Sequence, residues 1–367
     1  MSNSHVSVLE INLNSLKHNI SYFRKKIKPQ TKLLGVVKAF SYGHDAIEIA
    51  KTLEDLKIDY LAVAYADEGI SLRENGIKTP ILVLHPQIQN FSKIIEYQLE
   101  PNLYSKKTLT SFIDICEEKK LKEYPIHLKF NTGLNRLGFA LNEIEEILPL
   151  LSNNTIKITS LFSHLAASED PQENEFSKKQ IAKFKIISKK ITDYLPYTPI
   201  LHMANTSGII NFPEAHFDMV RLGIGMYGFG NDLKETAQLK NVGSLKTTIS
   251  QIHKIQKGDT LGYNRAFTAK TETTTATLPI GHADGISRKL GNGIGSVRIN
   301  KQQCPIIGNV CMDMIMVDIT NVECKEGDEV VIFDHQEMLN KLARNSGTIS
   351  YELLTGISQR IPRIITK

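Results

Sequence analysis

Tryptophan is missing from all 367 residues, so the 12 tyrosines and 14 phenylalanines supply every large aromatic surface. Cysteine is nearly as scarce. The four that occur, Cys116, Cys304, Cys311 and Cys324, form no C-x-x-C pair and lack the spacing of a zinc ribbon, which argues against a disulfide scaffold or a thiolate metal site. Free thiols and no bound metal are expected. No apolar run approaches the roughly 18 residues of a membrane span, and Met1-Ser2-Asn3-Ser4-His5 has neither the basic start nor the apolar core of a signal peptide. A cytoplasmic protein without membrane contact is the expectation. Excess charge of one sign is also small: 44 Lys and Arg against 39 Asp and Glu leave +5. The basic residues stand in short groups, Arg24-Lys25-Lys26 and Lys189-Lys190, while Lys119-Lys120 is offset by Glu117-Glu118. Such groups read as solvated helix faces, and without aromatic interleaving or a basic stripe they do not make a nucleic-acid surface.

What the chain does have is length and rhythm. Its 367 residues exceed what one hydrophobic core usually supports, so two domains are the natural division. Up to about residue 230, short apolar runs alternate with amphipathic stretches of helical period, the pattern of repeated β-α units. Strands are predicted at 33–37, 60–63, 81–84, 99–103, 126–130, 158–162, 199–202 and 217–221. Eight strands separated by helices imply a (β/α)8 barrel. Between them, 46–53 follows Asp45 as an N-cap and 66–75 ends in Asn75-Gly76, both helix signals. Beyond Gly230 the chain becomes threonine-rich and alternating, as at 245–252 and 271–278, which predicts a C-terminal mainly β domain. The expected boundaries are 1–235 and 236–367, with an early strand at 7–11 free to join the second sheet.

In such barrels functional groups gather at the C-terminal ends of strands. Lys38 follows the first predicted strand, Lys129 lies near the end of the fifth, His164 follows the sixth, His202 ends the seventh and Arg221 ends the eighth. A lone Lys or His there would be a solvated end or a structural hydrogen-bonding group. Five on one rim point to a site. The stretch Gly223-Ile224-Gly225-Met226-Tyr227-Gly228 matches G-x-G-x-x-G. It comes late for a dinucleotide fold and runs into Phe229-Gly230-Asn231 rather than a long helix. With Thr206 in the preceding loop, a single phosphate suits it better, though the motif alone leaves a nicotinamide-dependent oxidoreductase open.

At these residues the sequence resembles alanine racemases over nearly its whole length. The resemblance is carried by Val36-Val37-Lys38-Ala39-Phe40-Ser41-Tyr42-Gly43-His44, by 127–139 with Lys129 and Arg136, by His202-Met203-Ala204-Asn205-Thr206-Ser207 and by Asp218-Met219-Val220-Arg221-Leu222-Gly223. In the second domain it continues through Gly262-Tyr263-Asn264-Arg265, Gly281-His282-Ala283-Asp284-Gly285, Cys311-Met312-Asp313 and Tyr351-Glu352. It implies that Lys38 holds pyridoxal 5'-phosphate covalently, an amine being the group that condenses with its aldehyde. Tyr42, Asn205, Thr206, Gly223, Ile224 and Tyr351 would surround the phosphate, with Arg221 at the pyridine nitrogen and His164 beside it. Racemisation needs a base on each face of the α-carbon, and the resemblance assigns these to Lys38 and to Tyr263 of a neighbouring subunit in a homodimer. A free phenol titrates near pH 10, so Tyr263 would need positive charge close by, supplied through His164 and Arg221. Arg136 and the N–H of Met312 would receive the substrate carboxylate, with Lys129, carrying the carbamate found at that position in many relatives, His202, Arg288 and Asp313 in support. Alanine is the implied substrate, D-alanine for peptidoglycan the implied purpose. Two positions depart from the family pattern: Asn131 stands where Asp is usual and His282 where Tyr is usual. A racemase for another amino acid, or a non-catalytic carrier of the same cofactor, are the rival readings, the second disfavoured by Tyr263.

Overall fold

The computed structural model describes residues 5–367. Its first strand, β1 (Val8–Asn12), leads into a helix at Leu13–Arg24 that Asn12 caps by accepting the Ser15 N–H. Eight parallel strands follow: β2 (Lys32–Val36), β3 (Tyr60–Val63), β4 (Ile81–Val83), β5 (Glu100–Leu103), β6 (Tyr124–Lys129), β7 (Ile156–Phe162), β8 (Ile200–His202) and β9 (Met219–Leu222). β9 returns to β2, pairing Lys32 with Met219 and Gly35 with Leu222, and the barrel closes. Each strand overlaps its predicted counterpart. β3 and β4 are buried along their whole length, as strands covered by a barrel interior on one side and helices on the other must be. The start of β9 is two residues later than predicted because Phe217 sits at φ +48°, outside the extended region.

The helix that begins after Asp45 runs Ala46–Asp55, and the Asp45 carboxylate accepts the N–H groups of Ile47 and Glu48 at 3.0 and 2.9 Å. The next, Ala66–Glu74, stops at Asn75 as the Asn-Gly pair predicts.

Nine of the remaining strands, β1 among them, form one sheet, and Thr260–Leu261 pairs with Phe267–Thr268 in a separate two-stranded sheet. The alternating stretch 245–252 falls across two strands, Gly243–Thr248 and Gln251–Ile255. They pair with different partners, the first with β1 and Glu329–Phe333, the second with Thr273–Leu278. β1 does leave the barrel for this sheet, lying antiparallel to Gly243–Thr248 and parallel to the final strand Arg363–Thr366. This last strand ties the two parts together. Its Arg363 guanidinium donates to the carbonyls of Gly43 and His44 at 2.8 to 3.2 Å, directly behind the segment that carries Lys38. Among the described residues no helix is long and apolar enough to cross a membrane.

Candidate active site

The segment after β2 is the most unusual backbone in the molecule. Ala39, Phe40, Ser41 and Tyr42 all lie near φ +54° and form one turn of left-handed helix. For side chains other than glycine this costs roughly 1–2 kcal/mol per residue, so the surroundings must impose it. They do so at several points. The Ala39 N–H donates to Glu68 Oε1 at 2.6 Å, and the Ser41 and Tyr227 hydroxyls are 2.8 Å apart. Gly43 closes the turn at φ +82°, where an added Cβ would come within 1.9 Å of the Leu354 carbonyl oxygen. The turn folds Tyr42 back so that it and Lys38 face the same cavity.

That cavity, of about 750 Å³, opens at the C-terminal ends of the barrel strands. Lys38, Lys129, Arg136, His164 and Arg221 line it, so the rim residues singled out in the sequence converge, with His202 one layer beneath. The concentration of cations has a consequence. Burial and the nearby Arg136 and Arg221 guanidinium groups lower the Lys38 pKa, partly opposed by Glu68. Burial, then Arg136, Arg221 and Lys38, push Lys129 down to about 8. A neutral Lys129 amine is therefore accessible near physiological pH, and Lys38 is shifted toward the same form, the one that attacks a carbonyl or takes up a proton.

Arg221 anchors the far wall. One of its terminal nitrogens, Nη1, donates to His202 Nδ1 at 2.8 Å; the other, Nη2, donates to the Ser163 and Met203 carbonyls and to His164 Nδ1 at 2.8 to 3.0 Å. Burial pushes the Arg221 pKa down to about 9, which still leaves it cationic at neutral pH. Because a guanidinium only donates, both imidazoles must accept on Nδ1 and carry their proton on Nε2. Burial beside Arg221 holds each imidazole pKa well below the ordinary value, so both are neutral. The positive charge available through His164 is thus Arg221's own, a refinement of the arrangement expected from sequence.

At the other end of the cavity Tyr42, Thr206, Gly223, Ile224 and Tyr351 come together. The Thr206 hydroxyl accepts the N–H groups of Gly223 and Gly225 at 3.1 and 3.3 Å. An added Cβ on Gly223 would fall 2.7 Å from the Tyr42 hydroxyl, so only glycine keeps this wall open. Asn205 also lines the cavity, but its amide oxygen is committed to capping the next helix through the Gly208 N–H and to the Ser168 hydroxyl, both at 2.8 Å. The glycine run itself folds as a tight turn over Ile224–Tyr227 rather than leading into a long helix, which removes the structural basis for a dinucleotide reading.

Besides His202, four predicted residues do not line this cavity in the single chain. Tyr263 is 73% exposed and Met312 59% exposed, and Arg288 and Asp313 stand with them on the second sheet's loops. Those loops are nonetheless braced. Arg360 clamps the buried Asp284 at 2.6 and 3.0 Å and reaches Asp313 at 2.7 Å. The Met312 carbonyl accepts the Ala283 N–H, and a Cβ on Gly281 would lie 2.3 Å from it. Sequence reasoning missed Phe162, which lines the cavity and stacks on His202 with ring centres 4.7 Å apart. Its place at the end of β7 was the available signal. It also missed Tyr65 and His85, which line the cavity just after β3 and β4 and carried the same rim signal, and Arg360, for which the sequence carried none.

Comparison with known proteins now bears on this geometry. The N-terminal-domain model of alanine racemases matches residues 11–230 and the C-terminal-domain model matches 242–365. The chain belongs to the alanine racemase family. It is 36% identical to the alanine racemase of Clostridium kluyveri, covering 98% of this chain and 93% of that protein. The structure of the alanine racemase of Clostridium difficile 630 superimposes with a TM-score of 0.94 at 33% identity, over 100% of this chain and 97% of that one. That of Bartonella henselae, solved with covalently bound pyridoxal phosphate, superimposes with a TM-score of 0.88 at 29% identity, over 98% and 99% of the two chains.

Proposed function

We propose that this protein interconverts L- and D-alanine with pyridoxal 5'-phosphate held at Lys38, and that two copies combine to make each site. The observation that carries the reading is the cavity in which one amine of lowered pKa faces a glycine-walled pocket at one end and a buried guanidinium at the other. The donor set suits the cofactor: an amine for its aldehyde, the Tyr42, Thr206, Gly223, Ile224 and Tyr351 pocket for its phosphate, and Arg221 for its ring. When bound, that group supplies an electron sink that makes the substrate α-proton acidic.

The protein's own side chains then divide the work. Arg136, on the cavity wall, offers a planar fork for the substrate carboxylate, and the Met312 N–H, which has no hydrogen bond among the described residues, supplies a second donor. Lys38 Nζ removes or returns the α-proton on one face. Tyr263 Oη of the second copy acts on the other, and the Nε2–H of His164 stabilises its phenolate. Arg221, held cationic and able only to donate, would face the cofactor ring and disfavour a proton there. Arg288 and Asp313 support the loop side of the site. Lys129 forms a carbamate that orients Arg136, a reaction that needs the neutral amine. Since its pKa is near 8, carbamate occupancy should rise as pH increases through that value. A bicarbonate-labelled carbonyl resonance that is absent at every pH would contradict it. We further place the division of the chain at 235/236, the cellular site in the cytoplasm, and the product's use in peptidoglycan.

The test is direct. Protein loaded with cofactor should show a visible absorbance that borohydride abolishes, with the label on Lys38, and should equalise L- and D-alanine but not L-serine or L-lysine. A cofactor-loaded protein that racemises only one of the other amino acids would replace alanine in this reading.

A further inference from the structure

Arg221 is 4% exposed, yet its hydrogen-bond partners are two imidazoles and two carbonyls, with no carboxylate among them. A buried cation without a direct counter-ion is costly, so the path of its hydrogen bonds matters. From His202 Nε2 the path runs 2.8 Å to Ser160 Oγ, then 2.6 Å to His127 Nδ1, and from His127 Nε2 2.8 Å to Glu100 Oε2. His127, Ser160 and His202 are fully buried in the barrel interior, and Glu100 stands at the N-terminal end of β5 with its side chain 12% exposed. Four hydrogen bonds therefore link Arg221 at the catalytic rim to a carboxylate at the opposite end of the barrel.

The direction of every proton in this path follows from donor and acceptor chemistry. Arg221 can only donate, so His202 Nδ1 accepts and its Nε2–H donates to Ser160. The Ser160 hydroxyl must then donate to His127 Nδ1, because it has no other acceptor in reach. His127 consequently carries its proton on Nε2 and donates it to Glu100. A doubly protonated His127 would leave the Ser160 hydroxyl proton unpaired in a buried site, at a cost of about 1–3 kcal/mol.

We propose that Glu100, His127 and Ser160 are positioning residues that act through His202. Together they fix its tautomer, hold the Arg221 guanidinium in one orientation toward the cavity, and return part of a carboxylate's charge to it along an aligned row of dipoles. Cooperative polarisation strengthens such a row beyond its separate bonds. The functional consequence rests on Arg221 facing the cofactor ring. The tautomers themselves do not depend on that reading.

The experiment is nitrogen NMR of the cofactor-loaded protein labelled at histidine. His127 and His202 should both appear as neutral Nε2–H tautomers; a protonated Nδ1 on either ring overturns the proposal. Ser160→Ala should shift the His202 ring resonances and lower kcat about tenfold, since a displacement well below an ångström is enough for that, with KM for alanine changed less than twofold. Ser160→Thr, which keeps the hydroxyl, should restore both. Unchanged His202 resonances or an unchanged kcat in Ser160→Ala would equally refute it. A protein that shows the expected tautomers but racemises no alanine would instead fail the reading of function.

Discussion

The two parts of this molecule prepare their functional residues in opposite ways. In the barrel, Lys38, Arg136, His164 and Arg221 line one cavity; burial and neighbouring cations lower the Lys38 and His164 pKa values, and burial lowers that of Arg221. In the second sheet Tyr263 and Met312 stand exposed on braced loops, outside that cavity. Held there by the Asn309 amide on its own carbonyl, Tyr263 has a fixed backbone and a solvent-facing ring. In the proposed reading the barrel is a nearly complete binding site and the sheet is the half that completes another copy's.

This contrast can be broken or sharpened by mutation. Removing the amine in Lys38→Ala should abolish the borohydride-sensitive absorbance and lower racemisation by roughly 10⁴-fold or more; a rate near that of the parent would remove Lys38 from the chemistry. Tyr263→Phe should keep the absorbance and lose on the order of 10³-fold in rate, the scale of a positioned proton-transfer group. A matching loss of cofactor would mean that Tyr263 binds rather than reacts. Arg136→Lys keeps the charge but not the fork, and KM for alanine should rise about tenfold to a hundredfold; steady-state kinetics with an unaltered KM would place the carboxylate elsewhere. Gly223→Ala puts a methyl 2.7 Å from the Tyr42 hydroxyl, so cofactor affinity should fall about tenfold, read by titration of the absorbance, while the melting temperature stays close to the parent's. The smallest effect belongs to His282→Tyr on the exposed loop, a change of a few-fold expected in KM rather than in kcat; the reverse pattern would put His282 into the reaction itself.

The barrel was legible in the sequence because its strands are covered on both faces. Buried parallel strands need continuous apolar runs, so β2 to β9 announce themselves, and the rim positions follow from where those runs end. The second sheet was harder because its strands are short and change partners. Nothing in the run from Leu245 to Ile252 reveals that the chain breaks at Ile249-Ser250 to join two different neighbours. The left-handed turn over Ala39–Tyr42 could not be read at all, since none of those residues favours that conformation and Glu68, Tyr227 and Leu354 impose it from elsewhere in the chain. Likewise the braced Asp284–Arg360–Asp313 set joins residues that no local pattern connects. The family resemblance singled out Lys38 and Tyr263 and expected the second from a neighbouring subunit; in the structure Tyr263 lies outside the cavity that Lys38 lines.

Sharing of the site between copies is the account's central claim, and mixed dimers test it most directly. Lys38→Ala and Tyr263→Phe chains, each inactive alone, should recover activity when unfolded and refolded together, because one of the two sites in a mixed dimer then combines an intact Lys38 with an intact Tyr263 from the other chain. The recovered rate should approach one quarter of the parent's, the product of half the dimers being mixed and half their sites being whole. No recovery, with mixed dimers demonstrated in the sample, would show that Lys38 and Tyr263 of one and the same chain must act together.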